Sequence, residues 1–318
     1  SNTCVSICFL NFFVNRGLFP DFSEVPDVDT QQTHDFKLDV PFSCNGEIGV
    51  RGSEGYDWGM RHRLSRIFDA DGRTVMLAVD HGYFQGPTRG LERPDVLLPE
   101  LVPYADALMC TRGILRTSVP ANLPRSVVLR ASGGTSVLKD DLSNEEIAMS
   151  MEDAVRLNAA AVAVQVFVGS EHEAKTIHNL TRLVDAGYEY GVPVMGVVAV
   201  GKEMSRDARY FRLACRIISE LGAQIVKCYY TEPDFETVVA SCPVPIFMAG
   251  GKKLPELEAL TMASKAMKAG AAGVDMGRNI FQSADPARMI QAVRAVVHEN
   301  LSPDEAAEKH LKSVPVHV

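Results

Sequence analysis

Residues 193–228 read PVMGVVAVGKEMSRDARYFRLACRIISELGAQIVKC. The stretch opens on an apolar run, Pro193–Val198. It continues into a helix-like segment, Asp207–Leu221, that stops at Gly222, and it returns to a second apolar run, Gln224–Cys228. A run with no polar alternation is what a parallel strand covered on both faces requires. Glycine just past a helix accepts the left-handed conformation that closes the last turn. Strand, helix and strand in this order make one unit of a parallel sheet.

The same rhythm extends both ways. Further apolar runs are Thr74–Val79, Ala105–Cys110, Ser126–Leu129, Ala161–Val166, Pro245–Met248 and Ala272–Met276, which brings the candidate strands to eight. Ser143 followed by Glu146 predicts a capping box opening a helix through Leu157. Glu171–Ala186 and Leu254–Ala269 predict helices closed by Gly187 and Gly270. Residues from Asp285 to His310 read as a last helix plus an additional one. Eight strand–helix repeats over about 200 residues predict an α/β fold, a (β/α)8 TIM barrel, typically about 250 residues long. The rival, a doubly wound open sheet, carries GxGxxG after its first strand. Here that strand ends in Asp80-His81-Gly82.

Residues 56–318 are assigned to the barrel and residues 1–55 to an irregular N-terminal extension, rich in Asp, Pro, Ser, Gly and Thr. Within the extension, Cys4–Val14 reads CVSICFLNFFV. Its length suits a signal core but is too short to span a bilayer, and no basic segment precedes it. It is read as a variable leader behind a cloning remnant, Ser1-Asn2, rather than as a targeting segment.

A composition of 46% hydrophobic and 23% charged residues fits a globular domain and excludes a disordered or fibrous chain. The net charge of −8 argues against nucleic acid or an anionic membrane as partner. It leaves room for a small anion held at a local basic site. The seven cysteines form no CxxC pair. Cys110, Cys215, Cys228 and Cys242, in or beside apolar segments, read as reduced, mostly buried thiols, and the expected compartment is cytoplasmic. His62, His81, His172, His178 and His298 lack HxH or HExxH spacing, so no metal is expected.

In a barrel of this kind chemistry gathers at the C-terminal strand ends. Lys227 lies inside Ile225-Val226-Lys227-Cys228, where a charge is costly to bury. Desolvation disfavours an ammonium and frees its lone pair to attack a carbonyl. Alternation puts Lys227 on one face with Ile225 and Tyr229. The competing reading is a buried lysine paired with a carboxylate. Asp80 ends the first strand and can shuttle protons during imine chemistry, or merely cap its loop. His81 can share that work as a neutral imidazole, or be structural. The turns after strands seven and eight, Ala249-Gly250-Gly251-Lys252 and Met276-Gly277-Arg278-Asn279, sit where many barrels bind phosphate. Backbone N–H groups of Gly250, Gly251 and Gly277 and a paired contact from Arg278 are the expected donors.

Together, Ala78-Val79-Asp80-His81-Gly82, Val226-Lys227, Ala249-Gly250-Gly251-Lys252 and residues 274–282 resemble the DhnA-type class I barrel aldolase family. Asp57-Trp58-Gly59-Met60, residues 78–87 and residues 108–116 extend the resemblance, which covers about Tyr56 to Glu308. It implies a Schiff base at Lys227, proton transfer assisted by Asp80, and phosphate held by the late glycine loops. The family's thiolase branch transfers an acetyl group from a phosphorylated diketone to coenzyme A. It releases dihydroxyacetone phosphate, in breakdown of a phosphorylated quorum-sensing signal. The resemblance implies no permanently bound cofactor, coenzyme A as co-substrate, and a homo-oligomer, commonly a decamer of two stacked five-membered rings.

Fructose-bisphosphate aldolases of the family carry a proton-donating tyrosine near the end of strand five. Here the corresponding run is Val197-Val198-Ala199-Val200. This favours the thiolase branch and leaves the proton donor open among Asp80, His81, Lys202 and Tyr229. A ketose-phosphate aldolase is the alternative enzyme. A non-catalytic sugar-phosphate-binding barrel is the alternative of another class, against which retention of both Lys227 and Asp80 argues.

Overall fold

A computed structural model describes residues 50–122, 124–200 and 206–311. The arm at residues 1–49, including the Cys4–Val14 run, lies outside the described residues, and so does Lys202. Eight parallel strands close into a barrel in sequence order: β1 (Thr74–Ala78), β2 (Ala107–Cys110), β3 (Ser126–Arg130), β4 (Ala161–Val166), β5 (Val194–Val198), β6 (Ile225–Tyr229), β7 (Ile246–Ala249) and β8 (Gly273–Met276). The first and last strands pair, with Thr74 opposite Gly273 and Leu77 opposite Met276. All eight expected apolar runs became barrel strands.

The continuous hydrophobicity of the strands has a two-layer cause. Met76, Ala78, Met109, Val128, Ala163, Met195, Val197, Ile225 and Phe247 form one cluster, which fills the barrel. Their neighbours Val75, Leu77, Leu108, Leu129, Val162, Val164, Val226 and Cys228 belong to a second cluster, packed under the helices. Each strand therefore buries both faces, and fully burying a Leu or Phe side chain contributes roughly 1.5–3 kcal/mol. Cys110, Cys215, Cys228 and Cys242 are buried free thiols, as expected.

The helix Ala208–Glu220 starts on Asp207, whose side chain accepts from the Tyr210 N–H, and ends before Gly222 at φ 98°. The helix Glu256–Lys268 ends before Gly270 at φ 95°. The tail forms helices Pro286–His298 and Pro303–His310. At two places the local signals misled. The helix Glu173–Tyr190 runs through Gly187 and ends at Gly191, φ 65°. Gly187 serves packing instead, since a Cβ there would lie 2.6 Å from the Val192 carbonyl oxygen. Ser143 does not open a helix. Glu146–Ile147 pairs antiparallel with Ser132–Gly133, and the helix begins only at Met151, capped by Ser150. Tertiary contacts override the capping pattern here. Glu145 is drawn into the barrel mouth, Asn179 donates to its carbonyl, and the Ser143 hydroxyl donates to Asp141. A capping box does form later, at Ser302 and Glu305.

Candidate active site

The inward alternation of the strands continues one residue past the hydrophobic filling, and there it turns polar. Following Met76 and Ala78, the next inward position on the first strand is Asp80. By the same count the others are Arg130 on β3, Gln165 on β4, Lys227 on β6 and Asp275 on β8. A cavity of about 180 Å³ opens above them, walled by Asp80, His81, Arg130, Gln165, Lys227 and Arg278 among others. Phe167, Val197, Val198, Ala199 and Val200 supply an apolar wall. The missing tyrosine of strand five is thus replaced by hydrocarbon inside the site itself.

Lys227 keeps 12% of its side chain exposed, and its Nζ lies 2.7 Å from Asp275 Oδ2, which is fully enclosed. Nζ also donates to Met109 Sδ at 3.5 Å. The angles at the Asp275 contact fall outside those of a hydrogen bond, so neither carboxylate oxygen has a hydrogen-bond partner. Burial pushes the Asp275 carboxyl above the usual carboxylate range, against the pull of Lys227.

Asp80 behaves in the opposite way. Burial would raise its pKa, but the Arg130 guanidinium, with His81 and Lys227, outweighs burial and holds it at about 2. Arg130 donates to Asp80 Oδ2 and to Glu145 Oε1, each at 2.6 Å, and to the Ser132 carbonyl at 2.9 Å. Its planar end lies 4.4 Å above the Tyr83 ring. Tyr83 and Ser132 donate to the two oxygens of Glu145. With its amide turned, Gln165 accepts from Arg130 at 2.7 Å. The result is a buried, cross-connected scaffold around one arginine, in which Asp80 remains a carboxylate.

His81 is brought to the same cavity. Its Nδ1 is 3.8 Å from Asp80 Oδ1 and has no hydrogen-bond partner. Burial lowers its pKa to about 4, so the imidazole is neutral near pH 7. Arg278 opens the short helix Arg278–Phe281 and lines the cavity, with its Nε buried and unpartnered. Gly250, Gly251 and Gly277 adjoin the lining residues Ala249 and Arg278 along the chain and do not themselves line the cavity with a side chain. At Gly277 a Cβ would lie 2.5 Å from the Ala78 carbonyl and 2.6 Å from the His81 ring, so only glycine keeps Arg278 and His81 in place. Tyr229, on the inward face with Lys227, lines the cavity beneath the Arg206 guanidinium, 5.0 Å from the ring centroid.

Sequence reasoning assigned no task to Arg130, Glu145, Tyr83 or Asp275. For Asp275 the signal was present and equal to that of Lys227, a lone charge in the buried run Gly273-Val274-Asp275-Met276. Metal-ligating groups converge in two places among the described residues, Asp69 with Asp106 and His298, and Asp141 with Glu171 and His172. Neither includes the groups around Lys227.

A closed eight-stranded barrel with Lys227 and two unlike carboxylates at its C-terminal mouth has the parts that aldolase-barrel chemistry uses. A family profile described as DeoC/LacD family aldolase matches residues 74–283. The chain belongs to the DeoC/LacD aldolase family. Curated relatives include the 3-hydroxy-5-phosphonooxypentane-2,4-dione thiolases of Klebsiella pneumoniae, 58% identical over 87% of this chain and 94% of theirs, and of Escherichia coli K12, 58% identical over 89% and 97%. The Salmonella typhimurium protein of that name is 56% identical over 89% of this chain and 97% of its own. Among solved structures, a Schiff-base-forming fructose-1,6-bisphosphate aldolase is 27% identical, with a TM-score of 0.69 over 75% of this chain and all of that one. An archaeal fructose-1,6-bisphosphate aldolase, its catalytic lysine bound to the carbinolamine intermediate, gives the same identity and TM-score over 75% and 99%. No helix among the described residues is long and apolar enough to cross a membrane.

Proposed function

We propose that this protein is a Schiff-base thiolase. It transfers an acetyl group from 3-hydroxy-5-phosphonooxypentane-2,4-dione to coenzyme A, giving acetyl-CoA and dihydroxyacetone phosphate. The observation that carries the reading is Lys227, a lysine lining the cavity at the barrel mouth, aimed inward from β6 beside two carboxylates of opposite character. Identity of 56–58% to thiolases covered almost end to end supports the substrate.

In this reading Lys227 attacks a ketone carbon of the diketone and forms an imine. The cationic nitrogen then draws electrons from the neighbouring bond, the demand that class I aldolase chemistry exploits. Asp80, fixed as an anion by Arg130, accepts hydrogen bonds from substrate hydroxyls and guides their protons, with neutral His81 beside it. Arg278, with its unpartnered Nε, and the backbone of Gly250, Gly251 and Gly277 bind the phosphate. The hydrocarbon wall Val197–Val200 lacks the phenol that the family's fructose-bisphosphate aldolases carry there, which favours the thiolase branch, and the enamine left by acetyl transfer takes its proton from another group of the cavity. Coenzyme A enters as co-substrate, and the working form is a homo-oligomer.

Coenzyme A dependence tests the assignment. With the phosphorylated diketone and coenzyme A, an acetyl thioester and a triose phosphate should appear together by mass spectrometry. Without the thiol, turnover should stall after adduct formation. Asp80→Asn should keep slow adduct formation while turnover falls about a hundredfold or more. Rapid cleavage of fructose 1,6-bisphosphate with no thiol present would replace the thiolase reading with the aldolase one.

A further inference from the structure

A buried titratable group in direct contact with the nucleophile has no task in the scheme above. We propose that Asp275 is the catalytic proton acceptor for Lys227, taking one ammonium proton before attack and returning it through Nζ as the carbinolamine loses water. The proposal rests on the Schiff-base reading and assigns one of its steps.

The geometry isolates Asp275 with one partner. It faces inward on β8, its side chain is fully enclosed, and Lys227 Nζ is 2.7 Å from Oδ2. Neither oxygen receives a hydrogen bond, so the ion-pair contact with Lys227 is the carboxylate's sole polar contact among the described residues. A buried carboxylate ordinarily gathers several donors, because a bare one is costly. The neighbouring carboxylate shows the contrast, since Asp80 is clamped by Arg130 at 2.6 Å. Asp275 stands behind Lys227 and outside the cavity wall. A proton on it therefore has a direct route only through Nζ. Burial makes the protonated form of Asp275 accessible, whereas Arg130 keeps Asp80 charged. Two carboxyl groups whose surroundings push them apart take different roles at one site.

The proton count closes. Lysine ammonium and Asp275 carboxylate become amine and carboxylic acid. The amine lone pair forms the C–N bond while the carbonyl π pair moves to oxygen. Nζ passes one proton to the oxygen, takes the proton back from Asp275 and passes a second to the oxygen. The C–O bond breaks, water leaves, and the nitrogen lone pair forms the C=N bond. Of the three ammonium protons, two depart with the water and one stays on the iminium. The iminium keeps the positive charge opposite the regenerated Asp275 carboxylate.

The test follows the rate at which the Lys227 peptide gains mass when the protein is incubated with dihydroxyacetone phosphate and cyanoborohydride. Asp275→Asn keeps shape but cannot accept the proton. It should label at least about a hundredfold more slowly at neutral pH, with the deficit shrinking as pH rises. Asp275→Ala should be rescued saturably by formate, a readout that only folded protein can give and that a structural role would not produce. Wild-type labelling rates and pH dependence in Asp275→Asn would overturn the proposal. So would a deficit in both variants that neither pH nor formate alters. Wild-type protein labelled at another lysine, or not at all, would instead remove the Schiff-base reading and this proposal with it.

Discussion

At the N-terminal end of the barrel, Asp106 accepts from the Val75 N–H at 2.6 Å and from His298 at 2.8 Å, and it pairs with Arg294. Arg294 reaches on to Asp69, and the other ring nitrogen of His298 meets Asp71 at 2.8 Å. Every charge in that group has partners. At the C-terminal end, His81 Nδ1, both oxygens of Asp275 and Arg278 Nε have no hydrogen-bond partner. They make up four of the seven such buried side-chain atoms among the described residues. Leaving polar atoms unpaired costs stability, and it persists where a ligand completes the set. The larger cavity, about 480 Å³ and lined by Asp69, Asp106, Arg125, Arg294 and Arg66, the last with an unpartnered Nε, lies at the N-terminal end, against about 180 Å³ at the other. Volume alone therefore points to the N-terminal end, and hydrogen-bond accounting points to the end that holds Lys227.

Exchanging the perturbation between the two ends gives the largest expected effect. Lys227→Met should abolish turnover, by at least about 10⁴-fold, the scale for removing a covalent nucleophile, while thermal unfolding changes less than in Arg294→Met, because Asp275, its carboxyl already raised by burial, takes up a proton once the cation is gone. Arg294→Met should do the reverse. It leaves Asp106 buried without its cation and should cost about 3 kcal/mol, the low end for breaking a buried pair because Arg294 is partly exposed. Turnover per folded molecule should hold. Denaturant unfolding and initial rates on both variants decide it, and a larger stability loss in Lys227→Met with activity loss in Arg294→Met would invert the comparison.

Next in size is the phosphate. Arg278→Ala should weaken phosphorylated substrate by about 2 kcal/mol, roughly thirtyfold in KM, the worth of a charge-assisted contact. A dephosphorylated analogue should be indifferent to the change. Equal losses with both ligands would make Arg278 structural and Gly277 merely its support.

The sequence carried the barrel because its decisive signal was local. Thr74–Val79 and the other apolar runs needed no partner to be read, and Lys227 was conspicuous as the one charge in its strand. The helix misread at Ser143 shows the limit. Its capping pattern was intact in sequence and lost to contacts that Glu145 makes with Arg130, Tyr83 and Ser132, from 62 to 13 positions away. The arginine scaffold joins β1, β3, β4 and the loop before Met151, so no window of sequence contains it. Asp275 was readable in its strand, but its meaning lay in the 2.7 Å to Lys227, which only closure of the barrel creates.

The smallest expected effects concern pH, and they have opposite signs at the two ends. Burial would lower the His298 pKa, but its contacts with Asp106 and Asp71 outweigh that and raise it above the ordinary 6.5. Its stabilising contribution is thus complete below pH 6.5 and is lost as pH rises through the folded value. The stability gap between wild type and His298→Gln should be widest below pH 6.5 and close above it. Asp80 is depressed from 3.8 to about 2, so its contribution is present above pH 3.8 and fades as pH falls through 2. Urea titrations across pH 2 to 9 separate the two, and a His298 gap that widened with rising pH would contradict the pairing.

The most direct measurement is peptide mapping after reductive trapping. Wild-type protein treated with dihydroxyacetone phosphate and borohydride should carry one stable adduct, on the peptide containing Lys227, and Lys227→Ala should carry none. An adduct on Lys252 or Lys202, or an undiminished adduct in Lys227→Ala, would show that the unsatisfied end of the barrel does its chemistry through another residue.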